Sequence, residues 1–129
     1  MNSQVNTQAK SSAANLCDEL RVIVGNDYVL TDASSCLFYS QDVYRRGISV
    51  LAVAQPANIE ELAALVACAV DGGYATVPRG GGMSYTGGYL AIQEDTVLID
   101  MLRMDRVLEV NEEDMYVTVQ CGCTWEKLY

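Results

Sequence analysis

The most informative stretch of the sequence is a glycine-rich loop after a short apolar segment: Val77-Pro78-Arg79-Gly80-Gly81-Gly82-Met83-Ser84-Tyr85-Thr86-Gly87-Gly88. Half of the ten glycines of the chain fall in it. Glycine reaches backbone angles that other residues avoid, so successive amide N–H groups can turn toward one point and bind an anion. A flexible surface loop is the alternative, but such dense glycine costs backbone entropy that a mere connection would not require.

The side chains of the loop also suit an anionic ligand. Arg79 is its one positive charge, although it can instead point outward to an acidic neighbour, and the hydroxyls of Ser84 and Thr86 can donate hydrogen bonds. Two common nucleotide fingerprints do not match. The dinucleotide fingerprint requires glycine where Tyr85 stands, and the P-loop requires lysine where Gly88 stands. The loop is therefore a candidate phosphate site of another kind.

The segments before the loop predict a βαβ unit. An apolar run at residues 49–54 is typical of a buried strand, and Asn58 is a good N-cap for a helix over residues 59–71. A second short strand follows at residues 74–77, so the glycine loop begins at a carboxyl strand end, where parallel sheets favour ligand sites. Strand, helix and strand in so short a stretch imply parallel pairing and a right-handed crossover.

Further elements are predicted on both sides of this unit. Upstream, helical spacing predicts a helix over residues 9–24 that ends at Gly25, and Thr31-Asp32 indicates a short helical turn. Downstream we expect a strand at residues 96–100, hairpin strands at 107–110 and 115–120 around an acidic tip, and a helix beginning at Trp125.

Composition narrows the class of protein. The chain has 129 residues, half of them apolar, which suffices for one modest domain, and no apolar run is long enough to span a bilayer. A formal charge of −9 argues against nucleic acid or an anionic membrane as partner. Histidine is absent, which excludes Ser/His/Asp triads and histidine-ligated metals, and we expect no metal site. The five cysteines, an odd number, predict reduced thiols.

The sequence also gives predictions for the two ends of the chain. Residues 1–12 are polar and lack the charged start and apolar core of a secretory signal, so we predict a disordered tail and a cytoplasmic protein. The folded part is then residues 13–129. A helix that stops within one turn is not stable alone, which indicates a domain truncated at its C-terminal end.

Together these motifs resemble the FAD-linked oxidases of the vanillyl-alcohol-oxidase and p-cresol-methylhydroxylase (PCMH) type. Three segments carry the resemblance in the family's order: Pro56-Ala57-Asn58-Ile59-Glu60-Glu61-Leu62, then the glycine-rich loop, then residues 97–104 with 117–125. The resemblance covers residues 27–129. It implies an α+β fold, namely the βαβ-containing first subdomain of a PCMH-type FAD-binding domain, with a small mixed sheet flanked by helices.

The resemblance also implies a cofactor. The diphosphate of FAD would lie on the loop, with these residues as its binding set: Arg79, Gly80, Gly81, Gly82, Met83, Ser84, Thr86, Gly87 and Gly88. In many family members a histidine of this loop is joined covalently to the flavin. Met83 stands at that position here, so we expect non-covalent FAD. Family enzymes are several hundred residues long, which makes the remainder of the FAD domain and a substrate domain the expected partners.

Two hypotheses of function remain open. In the first, the chain is the FAD-binding portion of a flavin-dependent oxidoreductase of alcohols or 2-hydroxy acids, inactive by itself and without a nominated catalytic residue. In the second, it is a non-catalytic nucleotide-binding or assembly module that completes its fold with another chain. Exposed sheet edges favour self-association in either case.

Some side chains near the loop have less specific interpretations. Four tyrosines could stack on an adenine or flavin ring, but packing or surface roles are favoured for them: Tyr39, Tyr44, Tyr85 and Tyr89. Arg45 and Arg46 could bind a phosphate, but a solvated turn is favoured. Asp42 is interpreted as solvated surface.

Overall fold

The centre of the fold is a small mixed sheet, seen in a computed structural model that describes residues 11–129. Its strands are β1 (Val29–Leu30), β2 (Ala52–Ala54), β3 (Ala75–Arg79) and β4 (Thr96–Asp100). Their order is β1-β2-β4-β3, with β4 parallel to both β2 and β3 and with β1 antiparallel to β2. All five residues of β4 are buried, so this strand is the middle of the domain.

Helices cover both faces of the sheet, and the alternation of side chains along β2 and β4 explains why. Ala52, Ala54, Val97 and Ile99 share one core cluster with α1 (Ala13–Val24) and α3 (Ile59–Asp71). Val53 and Leu98 point the other way and share a second cluster with α2 (Ala33–Tyr39). The expected α+β fold with a mixed sheet between helices is confirmed.

Each helix begins at a polar N-cap that the sequence provides. The side chains of Ser12, Asp32 and Asn58 accept hydrogen bonds from backbone N–H groups three residues on, at 3.2, 2.9 and 2.9 Å. The Ser34 hydroxyl and the Ser35 backbone N–H lower the pKa of Asp32 to about 2, so this cap is charged at neutral pH. At the other end of α1, Gly25 has a φ of 95°, which favours glycine.

Several predicted elements are confirmed and others are corrected. The helix at residues 59–71 and the strand at 96–100 have the predicted bounds. The first strand is shorter than predicted, because the backbone is strand-like only over Ala52–Ala54, and the second runs on to Arg79. The antiparallel pair β1–β2 was not expected, because β1 has only two residues and leaves no periodic signal.

The topology of the βαβ unit also differs from the prediction. Strands β2 and β3 run parallel, but they do not pair with each other, because β4 lies between them. The helix α3 therefore connects two strands that are not neighbours, and β4 occupies the position between them. β4 is buried along its whole length, with the apolar residues Val97, Leu98 and Ile99 at its centre, which suits a strand with a neighbour on each side.

The predicted N-terminal tail falls mostly outside the described residues, which begin at Ser11. Its last two residues belong to the folded part. The backbone N–H of Ser11 donates to the carbonyl of Gly72 at 3.2 Å, and Ser12 caps α1. The start of the first helix is accordingly Ala13 rather than residue 9. Within residues 11–129, no helix combines the length and apolar character needed to cross a bilayer.

The last part of the chain is a predicted hairpin and a helical turn, both confirmed. Strands β5 (Val107–Asn111) and β6 (Tyr116–Val119) pair antiparallel, and α4 (Trp125–Leu128) follows, capped by Thr124. Gly122 packs the hairpin and α4 against the turn that follows β4. Its N–H donates to the carbonyl of Met104 at 2.9 Å, and a Cβ on it would collide with the Met101 carbonyl.

The close approach at Gly122 gives a stability prediction. Replacing Gly122 by alanine forces the Met101–Met104 turn away from the hairpin, which should lower the free energy of unfolding by about 3 kcal/mol. Gly88→Ala is the matched control, because its new methyl group would lie 3.4 Å from the Ser84 hydroxyl oxygen, an ordinary contact. Urea unfolding followed by circular dichroism measures both. Equal stabilities of the two variants would contradict the packing described.

Candidate anion-binding site

The candidate site lies where three parallel strands end. β2, β4 and β3 present their carboxyl ends at one edge of the sheet, the usual place for ligands in open parallel sheets. Three polar side chains form a row there on the face covered by α2: Gln55 after β2, Asp100 at the end of β4 and Arg79 at the end of β3. The glycine-rich loop, residues 80–88, begins directly beyond this row.

The loop has an open part and a closed part. Among the described residues, the backbone N–H groups of residues 80–84 have no hydrogen-bond acceptor. The N–H groups of Gly87 and Gly88 are already used, because they donate to Asp42 Oδ2 at 2.9 Å and Ser84 Oγ at 3.1 Å. Unpaired amides without Cβ atoms around them can bind an anion closely. The unpaired amides of the loop are thus those of residues 80–84, whereas the amides of Gly87 and Gly88 shape the loop.

The two hydroxyls of the loop differ in what they can do. Ser84 Oγ accepts hydrogen bonds from the N–H groups of Thr86 and Gly88, at 3.3 and 3.1 Å. These two bonds hold the second half of the loop in its turn. The hydroxyl proton of Ser84 is still available to a ligand. Thr86 is exposed on the closed part of the loop. The structure thus brings Ser84 next to the open amides and places Thr86 outside them.

Asp42 is the residue of the site that sequence reasoning missed. It is not a solvated surface residue. Its Oδ1 accepts from the N–H groups of Tyr44 and Arg45, both at 2.8 Å, and its Oδ2 accepts from Gly87 across 45 positions of sequence. Desolvation raises the pKa of Asp42, but the backbone hydrogen bonds from Arg45, Tyr44 and Gly87 outweigh it, and the pKa is lowered. The available signal was an Asp a few residues before Gly47, since Asp side chains often accept hydrogen bonds from backbone N–H groups in turns.

Arg79 lies behind the loop rather than pointing outward to an acidic neighbour. Its guanidinium carbon is 4.9 Å from the ring centre of Tyr39 and 5.4 Å from that of Tyr89, distances typical of cation–π contacts. A Cβ on Gly82 would collide with the guanidinium, and Gly82 has a φ of 74°. The positive φ favours glycine at residue 82, and a Cβ there would also require the guanidinium to shift.

The neighbouring carboxylate, Asp100, is fully buried but does not pair with Arg79. Asp100 Oδ2 accepts hydrogen bonds from the Tyr39 hydroxyl at 3.0 Å and from Gln55 Nε2 at 2.8 Å. Burial raises the pKa of Tyr39, and the charge of Asp100 raises it further. Tyr39 thus stands between the carboxylate and the guanidinium.

The four tyrosines divide into two pairs. Tyr39 and Tyr89 pack on Arg79, and the Tyr89 hydroxyl lies 3.0 Å from the carbonyl oxygens of both Gln41 and Gly82. The rings of Tyr44 and Tyr85 are exposed and lie 5.5 Å apart, so they contact each other beside the loop. The packing interpretation holds for the first pair, and the second pair is free to contact a ligand.

A cavity lies in front of the open amides. It has a volume of about 490 Å³ and is bounded by the loop, the segment before α4 and the first turn of α4: Gly81, Met83, Cys123, Thr124, Trp125 and Glu126. This size is within the usual range for ligand sites. The open amides, the missing Cβ atoms and the adjoining cavity together fit a diphosphate that carries a larger organic group.

The other features of the site are chemically plain. The five cysteines are free thiols, with Cys17 and Cys36 buried. Within the part of the chain that the structure describes, no three His, Cys, Asp or Glu side chains lie close enough together to hold a metal ion. Arg45 and Arg46 are exposed on the turn that Asp42 organises.

Comparison with known proteins identifies a family and its relatives. The family model described as "FAD binding domain" matches residues 50–129. The uncharacterised FAD-linked oxidoreductase YgcU of Escherichia coli (strain K12) is 31% identical over 91% of this chain and 26% of its own length. The D-2-hydroxyglutarate dehydrogenase of Xanthomonas citri pv. viticola is 33% identical over 77% of this chain and 21% of its own length.

Solved structures share the fold. The 4-ethylphenol oxidase of Gulosibacter chungangensis superposes with a TM-score of 0.80 and 28% identity over 94% of this chain and 24% of its own. p-Cresol methylhydroxylase superposes with a TM-score of 0.78 and 19% identity over the same shares of the two chains. The chain thus spans about a quarter of the length of the proteins it matches.

The hydrogen bond from the Gly87 N–H to Asp42 gives a pH prediction. The pKa of Asp42 in the folded chain lies below its ordinary value of 3.8. The hydrogen bond to Gly87 therefore stabilises the loop above pH 3.8, and this stabilisation is lost as the pH falls through the folded pKa. The Gly87 amide resonance should therefore titrate below pH 3.8 in the natural chain. In Asp42→Asn it should be shifted and independent of pH in this range. A Gly87 resonance that titrates equally in both would contradict the assignment.

Proposed function

Because the chain belongs to the FAD binding domain family and has the PCMH-type fold, we propose that residues 80–84 hold the diphosphate of FAD through their backbone amides. The observation that carries the proposal is the row of unpaired N–H groups at the carboxyl end of β3. In a chain of net charge −9, an anionic cofactor needs such local dipoles. The glycines let the phosphate oxygens approach the backbone without meeting a Cβ.

The remaining residues of the predicted site have supporting roles in this proposal. Gly87 and Gly88 fix the return of the loop through Asp42 and Ser84. Ser84 has a free hydroxyl proton for a phosphate oxygen. Met83, which is 66% exposed at the mouth of the 490 Å³ cavity, would contact the organic part of the cofactor. When bound, FAD supplies the capacity to accept two electrons, which no side chain of the protein has.

We further propose that this FAD is held without a covalent bond through the loop. The chain contains no histidine, and the loop position that can carry one is Met83, whose thioether is not a suitable nucleophile. Affinity must then come from the diphosphate contacts and from the area of cofactor that the protein buries.

The reaction of the whole protein is proposed at the level of a class. The printed names of the relatives include an FAD-linked oxidoreductase and a D-2-hydroxyglutarate dehydrogenase. We propose that the protein takes part in the oxidation of an alcohol or a 2-hydroxy acid. Glu126 lines the cavity, but no residue among 11–129 is nominated as catalytic. The groups that act on the substrate are therefore proposed to lie in the remainder of the FAD domain and in a substrate domain.

The exposed face of the hairpin and α4 supports the need for such partners. Met115 is 90% exposed and Trp125 is 74% exposed, and they line a cavity of about 520 Å³ together with Val110, Tyr116 and Leu128. An apolar surface of this kind is usually covered. The same face favours the second candidate function, a nucleotide-binding module completed by another chain, and it predicts self-association when it is left uncovered.

The proposal predicts where nucleotides act on this chain. Titration with ADP, followed by amide chemical shifts, should move the resonances of residues 80–84 and leave those of Gly87 and Gly88 with small changes. FAD should bind weakly, and oxidase turnover should be absent, because most of the cofactor surface stays unburied.

Two results would count against this proposal. No shift in residues 80–84 at saturating ADP would remove the loop as the diphosphate site. A yellow protein with one flavin per chain after purification would show that these residues suffice for tight binding, contrary to the expected need for the other domains.

A further inference from the structure

The charge behind the loop is unusual in having no partner. Arg79 is enclosed by rings: Phe38, Tyr39 and Tyr89 lie 6.0, 4.9 and 5.4 Å from its guanidinium carbon. Its Nε is buried and has no hydrogen-bond acceptor. Among the described residues no carboxylate lies within ion-pair distance of it. A buried or half-buried cation without a counter-ion is costly, so its persistence calls for a compensating anion.

The obvious counter-ion is held away from Arg79. Asp100 is the register partner of Arg79 across β3 and β4, and both side chains lie on the face covered by α2. Asp100 is occupied instead by the Tyr39 hydroxyl, by Gln55 and by the N–H of Leu102, at 3.0, 2.8 and 3.2 Å. The ring of Tyr39 faces the guanidinium while its hydroxyl faces the carboxylate. Among residues 11–129, the guanidinium of Arg79 therefore has no ion-pair partner.

The position of the Arg79 guanidinium indicates its role. The guanidinium packs on the backbone of Gly82, in the middle of the unpaired amides, and it also borders a small cavity of about 160 Å³ that includes Gln41, Asp42 and Val43. The three carboxylate hydrogen bonds of Asp42 are all made to backbone N–H groups of the two loops. Arg79 thus adjoins the unpaired amides and, among residues 11–129, has no carboxylate within ion-pair distance.

We propose that Arg79 is a positioning residue for the diphosphate, acting from behind the glycine-rich loop through its charge and its packing on Gly82. This proposal rests on the proposed function of residues 80–84. Tyr39 takes part by keeping Asp100 occupied. The aromatic rings fix the guanidinium in place, so that no side-chain entropy is lost when the anion arrives. A charge at this distance in a partly dry site strengthens anion binding by roughly tenfold.

The test uses inorganic pyrophosphate as probe and three variants of the full chain. Arg79→Gln removes the charge, Arg79→Lys keeps it, and Arg21→Gln is the matched control, because Arg21 lies on α1 and pairs with Asp18. Amide and Arg Nε–Hε resonances are followed during the titration, at low and at high salt. This method measures millimolar affinities and also reports folding.

The expected result is an affinity about tenfold weaker for Arg79→Gln, with a smaller loss in Arg79→Lys and none in Arg21→Gln. The loss should shrink at high salt. In the natural chain, pyrophosphate should shift the Arg79 Nε–Hε resonance together with the amides of residues 80–84. That shift tests the inference even if a substituted chain does not fold.

Other outcomes overturn specific parts of the account. Amide shifts at residues 80–84 with equal affinities for the natural chain and Arg79→Gln would overturn the role of Arg79 and leave the loop assignment standing. Equal losses in Arg79→Gln and Arg79→Lys, insensitive to salt, would show a purely structural role and also overturn the inference. No amide shift in the natural chain would overturn both the inference and the proposed function.

Discussion

The packing of the Arg79 guanidinium against the backbone of Gly82 is the constraint on which the loop depends. A side chain at position 82 would displace the guanidinium, and the positive φ there excludes most residues in any case. The amides of residues 80–84, which surround this contact, have no acceptor among the described residues. Asp42 and Tyr89 then hold the two ends of the loop in place.

Much of the fold follows from local sequence signals, and the rest is non-local. The helix at residues 59–71 could be predicted to the residue, because Asn58 and the apolar spacing both act within one element. The order of the strands could not, because nothing in the βαβ segment shows that a later strand, residues 96–100, inserts between its two strands. That order agrees with the complete burial of β4, whose apolar centre Val97-Leu98-Ile99 favours a neighbour on each side.

The features of the site likewise divide into those that the local sequence predicts and those that depend on the tertiary structure. Glycine density located the loop, because each glycine reports on its own backbone. The role of Gly87 depends on Asp42, 45 positions away along the chain, which no local pattern reveals. Gly82 contacts Arg79, three residues before it, but that contact depends on how the loop folds. The row of Gln55, Asp100 and Arg79 is an intermediate case. Two-residue alternation places all three on one face, but only the strand register aligns them.

In the site that we propose, an acidic chain binds an anion through backbone dipoles of the loop, with the guanidinium of Arg79 behind them. The most direct test is a crystal structure of the chain with ADP. The account predicts the diphosphate within hydrogen-bond distance of at least two amides of residues 80–84, with Arg79 still stacked on Tyr39 behind Gly82. A diphosphate bound elsewhere, or on the loop with its oxygens turned away from these amides, would contradict it.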